Sequence, residues 1–178
     1  DRIRDTASSH DRTFIVEVMG RSSGSIALHT GITGGAETIW IPEHSLSAES
    51  ICKTIERGVK RGKTSSILVV AEGNEPGRSQ RLASELLKRG FSSKVCILGH
   101  TQRGGSPTAR DRLLASASGA YAVAYLLAGK SDGMVGIRRN QLGFTPFTQM
   151  IRDKKKHGDK HRSNAPNSMI RLGELLAI

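Results

Sequence analysis

The chain has 178 residues, enough for one domain with a sizeable core or for one domain plus a segment of a second. Its net charge of +11 fits phosphorylated small molecules, nucleic acid or simply a solvated surface. Aromatic residues make up only 4%, which argues against nucleic acid as the partner, and two cysteines argue against a disulfide framework. No apolar run approaches the ~18 residues of a membrane span and no signal-peptide pattern opens the chain, which indicates no membrane contact and predicts the cytoplasm.

Strands and helices are predicted to alternate along the chain. Near-continuous apolar strands joined by helical crossovers imply a mainly parallel sheet covered by helices on both faces. We therefore predict a three-layer α/β/α, doubly wound, Rossmann-like architecture. In chain order the predicted elements are strand 13–18, helix 25–32, strand 38–41, helix 48–61, strand 65–71, helix 79–89, strand 94–98, helix 107–127 and helix 168–178.

Capping residues set the expected helix ends. Ser47 is expected to cap the helix that follows it, and Gly62 is expected to end that helix. Further along, Ser106 is the expected cap of the long helix, with Pro107 at the first helical position. Apolar residues recur on one stripe of this helix, so we expect an amphipathic core helix.

Two glycine-hinged turns follow apolar strands and carry basic side chains. The run 98–107 holds His100 and Arg103, and the run 18–24 holds Arg21. Strand ends of this kind gather ligands in doubly wound sheets, and basic donors favour an anion. Taken alone, the run 98–107 fits an ordinary tight connection better, with Arg103 solvated and His100 bonded to backbone. Because two such turns can share one rim, together they favour an anion site, and Glu72 follows a third strand in the same way.

The chain resembles the 6-phosphofructokinase family along most of its length. Ordered blocks at compatible spacings carry the resemblance, which makes it far more specific than a single glycine turn. The matching blocks are IRDTASSHDR (3–12), EVMGR (17–21), GGAE (34–37), VVAEG (69–73), LGHTQRGGSP (98–107), DRLLAS (111–116), LLAG (126–129) and MVGI (134–137). The resemblance implies phosphorylation of fructose 6-phosphate to fructose 1,6-bisphosphate in glycolysis.

The resemblance assigns site residues position by position. His100 and Arg103 match residues that hold fructose 6-phosphate, and Glu72 matches the carboxylate that accepts from sugar hydroxyls. Met19 and Gly20 match the backbone turn that lies against the sugar. Arg21 matches the arginine that stabilises charge on the transferring phosphoryl group, although it could also be a simple surface arginine.

Further matched residues imply a homo-oligomer, a tetramer in this family. Arg12 matches an arginine that reaches the sugar-phosphate site of the adjacent subunit. Lys94 stands where the family has a second such arginine, so it keeps the charge but loses the two-point grip. An effector site for a nucleotide diphosphate or phosphoenolpyruvate is implied at Arg4, Glu37, Arg61 and Lys63, with Arg61 in place of a lysine. Exposed arginines near helix ends are common, which leaves a purely structural role open for this set.

The family's nucleotide-binding glycine loop and its Thr-Ile-Asp-Asn-Asp run, which supplies the aspartate base, do not occur in this sequence. We therefore expect the carboxyl-terminal part of a longer enzyme, inactive alone, with Mg²⁺ and ATP bound mainly by the other part and no metal ligands in this chain. The expected organisation is a sugar-phosphate-binding domain over 1–102, a segment over 103–149 that belongs partly to the nucleotide-side domain, and a basic tail with a terminal helix over 150–178. Exposed apolar surface on the long helix is expected as a result.

Two alternatives stay open at this point. A pyrophosphate-dependent phosphofructokinase is the second choice within the family, because the residues that select the donor lie outside this chain. A basic phosphate- or nucleic-acid-binding module without catalysis is a second, different class.

Overall fold

The computed structural model describes residues 2–10, 12–138, 140–157 and 167–176. The chain divides into two compact units, one formed by Asp1–Arg103 with Arg162–Ile178 and the other by Gly104–His161. In chain order the elements are α1 (Arg2–His10), β1 (Thr13–Val18), α2 (Ser25–Thr33), β2 (Thr38–Trp40), α3 (Ala48–Lys60), β3 (Ser66–Ala71), α4 (Arg78–Lys88), β4 (Ser93–Ile97), a 3₁₀ turn (Gly99–Gln102), α5 (Ala109–Leu127), β5 (Gly133–Arg138), β6 (Gln141–Pro146), α6 (Phe147–His157) and α7 (Asn167–Leu176).

The first unit is built on a parallel sheet of four strands in the order β2-β3-β1-β4. Every strand pair in it is parallel, with Val16 of β1 opposite Val69 of β3 on one side and Cys96 of β4 on the other. Sequential strands that pair in parallel need a crossover, and helices supply each crossover here. The predicted α/β fold is confirmed.

Alternate residues of the central strands face two separate cores. Val16 and Val69 face a layer that includes α2 and α7, whereas Ile15 and Leu68 face α3 and α4. This alternation follows from the two-residue period of a strand. The buried members of the first core are Val16, Val18, Ala27, Leu28, Ala36, Ile41, Val69 and Ala71, and those of the second are Ile15, Ile51, Cys52, Ile55, Leu68, Val70, Leu82 and Leu86. The sheet is therefore covered on both faces.

The predicted amino-terminal cap is confirmed for α3 and wrong for α5. The Ser47 hydroxyl accepts from Ser50 N at 3.1 Å and caps α3, as predicted. At α5 the predicted cap Ser106 is wrong, because Thr108 accepts from Asp111 N at 3.3 Å while the Asp111 carboxylate accepts from Thr108 N at 2.8 Å. This reciprocal capping box satisfies two helix-end donors, and hydrogen bonds from Thr108 lower the pKa of Asp111.

The second unit consists of α5, the antiparallel hairpin β5–β6 and α6. Residues 134–137 lie in β5, and neither strand of this hairpin was predicted from the sequence. The ring of Phe144 in β6 lies over Gly133, where a Cβ would come within 2.2 Å of it, and also contacts Tyr125 with ring centroids 5.2 Å apart. Aromatic packing of this kind fixes the hairpin against α5.

Helix α6 occupies part of the segment predicted as a basic tail. It runs from Phe147 through His157, because Phe147, Met150 and Ile151 recur at helical spacing. Residues 158–166 of that segment lie outside the described part of the chain.

Helix α5 differs from the predicted core helix, because none of its residues is buried by the described part of the chain. Its apolar side chains are left open to solvent, with Leu113 73% and Leu127 84% exposed. A contiguous apolar stripe of this kind is typical of a surface that another polypeptide covers. Among the described residues, no helix combines the length and apolar character that a membrane crossing needs.

Candidate functional site

The loops that follow β1, β3 and β4 meet at one edge of the sheet. Parallel neighbours bring their carboxyl ends together, and backbone bonds continue past the strands: Glu72 N donates to Val18 O at 2.9 Å, and Leu98 N donates to Glu17 O at 3.0 Å. Gly73 N then donates to Gly20 O at 3.1 Å. The three loops singled out from the sequence therefore form one rim.

A direct hydrogen bond joins the two glycine turns. Met19 N donates to Gln102 Oε1 at 2.7 Å, although 83 positions separate the two residues in the sequence. Gly20 N donates to Glu72 Oε1 at 3.3 Å, so the third loop is tied to the same turn. The structure thus brings Met19, Gly20 and Glu72 together and fixes the backbone of the β1 turn from two sides.

Glycine is required at position 20 by geometry. Its φ of +149° lies in a region that side-chain-bearing residues rarely adopt, and a Cβ there would come within 2.4 Å of Ser23 O. The turn can therefore approach a ligand with bare backbone.

The cationic side chains of the site lie at its exposed rim. Arg21 belongs to the β1 turn, and both His100 and Arg103 belong to the turn after β4; all three residues are exposed. That turn is closed by Thr101 Oγ1 donating to Leu98 O at 2.6 Å and by Arg103 N donating to His100 O at 3.0 Å. A partly buried carboxylate, Glu72, together with exposed cations in the adjoining loops suits a ligand that carries both hydroxyls and a phosphoryl group.

Arg12 and Lys94 lie at the opposite end of the sheet. Arg12 precedes β1, and Lys94 pairs with Phe14 near the start of the same strand. An extended strand rises ~3.3 Å per residue, so Arg12 and Met19 are separated by roughly 20 Å along β1. The structure does not bring these two cations to the rim of their own chain.

The four residues predicted at an effector site differ in whether their side chains have partners within the chain. Arg4 donates to Gly34 O and, at 2.7 Å, to Gly35 O, which are free carbonyls at the end of α2. Glu37 is 8% exposed, accepts from Ile67 N at 2.5 Å and pairs with Lys63 at 3.4 Å. Arg61 caps α3 with its backbone and leaves its side chain exposed. Three of the four residues therefore already have partners within the chain.

The sequence reasoning missed Gln102 and Glu43 as organisers of the site. Gln102 lies between two residues that were singled out, so its position in the turn was the available signal. Glu43 accepts from Gly24 N with both oxygens, at 3.0 and 2.9 Å, and so anchors the end of the β1 turn where α2 begins. Nothing in the local sequence around Glu43 predicts this contact, because 19 residues separate the pair.

The described residues do not form a magnesium site. No group of three or more His, Cys, Asp or Glu side chains in that part of the chain could hold a metal ion. Mg²⁺ prefers octahedral oxygen ligands, and the rim offers the single carboxylate of Glu72, which already accepts from Gly20 N.

The parallel sheet and its glycine turns at the carboxyl edge define a doubly wound α/β protein. A family profile described as Phosphofructokinase matches residues 1–126. The chain therefore belongs to the phosphofructokinase family.

Individual relatives agree with the family match. The chain is 52% identical to the ATP-dependent 6-phosphofructokinase of Staphylococcus carnosus, over 100% of this chain and 53% of the relative. It is 43% identical to ATP-dependent 6-phosphofructokinase 1 of Thermus thermophilus, again over 100% of this chain and 53% of the relative. The chain thus spans about half the length of the curated relatives it matches.

Solved structures support the same fold. Phosphofructokinase from Saccharomyces cerevisiae matches with a TM-score of 0.79 and 31% identity, over 99% of this chain and 24% of that one. A pyrophosphate-dependent phosphofructokinase from Nitrosospira multiformis matches with a TM-score of 0.68 over 83% of this chain and 43% of that one. At 22% identity, this second match supports the fold alone.

Proposed function

We propose that this chain carries the fructose 6-phosphate site of an ATP-dependent 6-phosphofructokinase, which forms fructose 1,6-bisphosphate in glycolysis. The observation that carries the proposal is the hydrogen bond between Met19 N and Gln102 Oε1, because it joins the two basic turns into one rim. The names of the curated relatives favour ATP over pyrophosphate as the donor.

Each rim residue has a role that follows from its chemistry. His100 and Arg103 hold the sugar phosphate, and the planar fork of Arg103 suits two phosphoryl oxygens. Glu72 accepts from sugar hydroxyls through the lone pairs that Gly20 N leaves free. The guanidinium of Arg21 meets the negative charge that develops during phosphoryl transfer, a reaction that depends on positioning and electrostatics.

ATP, as its Mg²⁺ complex, supplies the transferred phosphoryl group when it is bound. We place its binding residues, and the aspartate that takes the proton from the 1-hydroxyl, in the half of the relatives that this chain does not span. The rim residues of this chain then hold the acceptor in line for transfer, which lowers the barrier by orientation.

A second copy of the chain completes the proposed site. Arg12 and Lys94 are exposed cations that lie roughly 20 Å and roughly 16 Å along the strands from their own rim. We place them in the sugar-phosphate site of an adjacent subunit, in a homotetramer. The exposed apolar stripe of α5 is assigned to the nucleotide-side domain, which the segment 103–149 would join.

We place an effector site for a nucleotide diphosphate or phosphoenolpyruvate at Arg4, Glu37, Arg61 and Lys63. The exposed side chain of Arg61 leaves its guanidinium open to an anion, and Glu37 and Lys63 supply an acidic and a basic group close together. The proposed glycolytic role and the unpaired cysteines Cys52 and Cys96 favour the cytoplasm.

Calorimetric titration with fructose 6-phosphate tests the proposed function. We expect saturable binding, and we expect Arg103→Ala to weaken it by about tenfold to a hundredfold, because a charge-assisted contact is lost. Arg89→Ala, which removes an exposed cation at the far end of α4, is the matched control and should bind as the unaltered chain does. Equal affinity of the Arg103 variant, or steeply salt-dependent binding to DNA of any sequence in place of sugar-phosphate binding, would contradict the proposal.

Gln102→Ala should weaken fructose 6-phosphate binding by about threefold to tenfold. Met19 N loses its acceptor in this variant, so the β1 turn is no longer held against the β4 turn. The same titration measures the effect, with Gln80→Ala as a control that is exposed on α4 and outside both turns. An unchanged affinity for the Gln102 variant would show that the two turns do not need this bond to bind the sugar.

A further inference from the structure

A cavity separate from the proposed sugar site opens at the carboxyl edge, on the α4 side of the sheet. Its volume is about 310 Å³, and it lies between the end of β2 and the loop that links β3 to α4. Six of its lining residues give it its chemical character: Trp40, Gly73, Asn74, Glu75, Arg78 and Arg81. None of them has a part in the proposed phosphoryl transfer.

The Arg78 guanidinium is the central feature of this cavity. It lies over the ring of Trp40, 3.8 Å from the ring centroid, and is partly buried. Burial lowers the pKa of Arg78, against the opposing effect of Glu75. Among the described residues, none accepts a hydrogen bond from its five N–H groups or forms an ion pair with it. A guanidinium withdrawn from water without an acceptor is costly unless a ligand supplies one.

The chain makes room for this cation with a glycine. Gly73 has a φ of +67°, and a Cβ there would lie 2.8 Å from Arg78 Nη1. The guanidinium is thus held between an aromatic face and bare backbone, which fixes its orientation without using its donors. That is the arrangement of a prepared anion contact rather than of a solvated surface arginine.

The acidic groups near Arg78 do not neutralise it. Glu75 pairs with Arg81 at 2.8 Å, and Arg81 also donates to Pro76 O at 2.5 Å. Glu17 acts on Arg78 through its charge but forms no ion pair with it. The lining residues therefore bring two guanidiniums against one carboxylate, with Arg81 paired to Glu75 and Arg78 unpaired.

The first turn of α4 adds to this positive character. Gly77 precedes the helix and has no side chain to cap it, so no capping side chain accepts from the backbone N–H groups of that turn.

We propose that this cavity binds a small phosphate-bearing anion, with the fork of Arg78 on two phosphoryl oxygens and Arg81 beside it. The Arg fork matches the spacing of phosphoryl oxygens. Gly73 links the cavity to the sugar site, because its N–H holds Gly20 O at 3.1 Å. An anion in the cavity therefore lies next to the residue that holds the β1 turn, which contacts the sugar in the proposed function. Binding of the anion does not require catalysis.

Trp40 makes the proposal directly measurable, because it is the only tryptophan in the chain. We expect inorganic phosphate to change Trp40 fluorescence saturably, compared with sodium chloride at equal ionic strength. Arg78→Gln should raise the half-saturating phosphate concentration by about tenfold or more. Arg89→Gln removes the same charge at the other end of α4 and should respond as the unaltered chain does.

The outcomes separate this cavity from the sugar site. No saturable response, or an unchanged response in Arg78→Gln, would overturn the proposal. So would loss of the response in Arg103→Ala with its retention in Arg78→Gln, since the phosphate would then occupy the sugar site. If circular dichroism shows that Arg78→Gln does not fold, Arg78→Lys keeps the charge without the fork and should still weaken binding several-fold. Fructose 6-phosphate titrated into Arg103→Ala identifies the source of the phosphoryl group. A saturable change in Trp40 fluorescence means that the cavity takes a phosphorylated sugar, and no change means that it takes free phosphate.

Discussion

Gly20→Ala is expected to reduce fructose 6-phosphate affinity by more than about tenfold and to lower the free energy of unfolding by about 1–3 kcal/mol. A residue with a side chain is strained at φ +149°, and its Cβ would lie 2.4 Å from the backbone oxygen of Ser23. The turn cannot relax freely, because Gly20 is bonded to Glu72 through its N–H and to Gly73 through its carbonyl. Calorimetric titration and urea unfolding measure the two effects.

Gly90→Ala is the matched control for this substitution. Gly90 also has a positive φ, +89°, but no heavy atom lies within 4 Å of a Cβ built there, and it follows α4 at the amino end of the sheet. We expect it to cost about 1 kcal/mol in stability and to leave sugar-phosphate affinity unchanged. If Gly20→Ala binds the sugar as tightly as Gly90→Ala does, the β1 turn does not lie against the ligand.

The sequence was sufficient for the layered fold because the pattern of each element matched its burial. The run around Val69 is apolar on both faces, and β3 is the strand buried between both helix layers. The pattern was insufficient where two signals competed. Ser106 and Thr108 are both plausible caps, and the reciprocal bond with Asp111 decided for Thr108. Strand β6 was missed because its turn at Asn140, φ +62°, lacks the Asn-Gly or Asp-Gly signature of a tight hairpin.

The sheet edge that carries the proposed site could be predicted from the sequence, but the bonds that join its loops could not. Glycine turns after apolar strands indicate a ligand edge in any doubly wound sheet, so Gly20 and His100 were open to prediction. The bond between Met19 and Gln102 depends on β1 and β4 being neighbours in the sheet, which local spacing does not specify. The Arg78–Trp40 contact could not be predicted for the same reason. The two residues are 38 positions apart, and they come together only because the crossover through α3 places β3 beside β2.

Leu86→Ala is expected to lower the free energy of unfolding of the first unit by about 2–5 kcal/mol. The Leu86 side chain is 0% exposed and belongs to the core between the sheet and helices α3 and α4. Its truncation leaves a cavity that neighbours such as Ile55 and Leu82 fill only partly, because they are themselves held in the packed layer. Urea unfolding followed by circular dichroism measures the change.

Leu87→Ala makes the same chemical change one residue further along α4. Leu87 is 64% exposed, and alanine has the higher helix propensity, so we expect a change within about 0.5 kcal/mol. Both substitutions remove the same atoms from adjacent positions of one helix. The difference between their effects on the free energy of unfolding therefore measures the contribution of burial. Equal destabilisation by the two substitutions would mean that α4 does not cover the sheet with its Leu86 face, and the orientation of Arg78 on that same helix would have to be assigned anew.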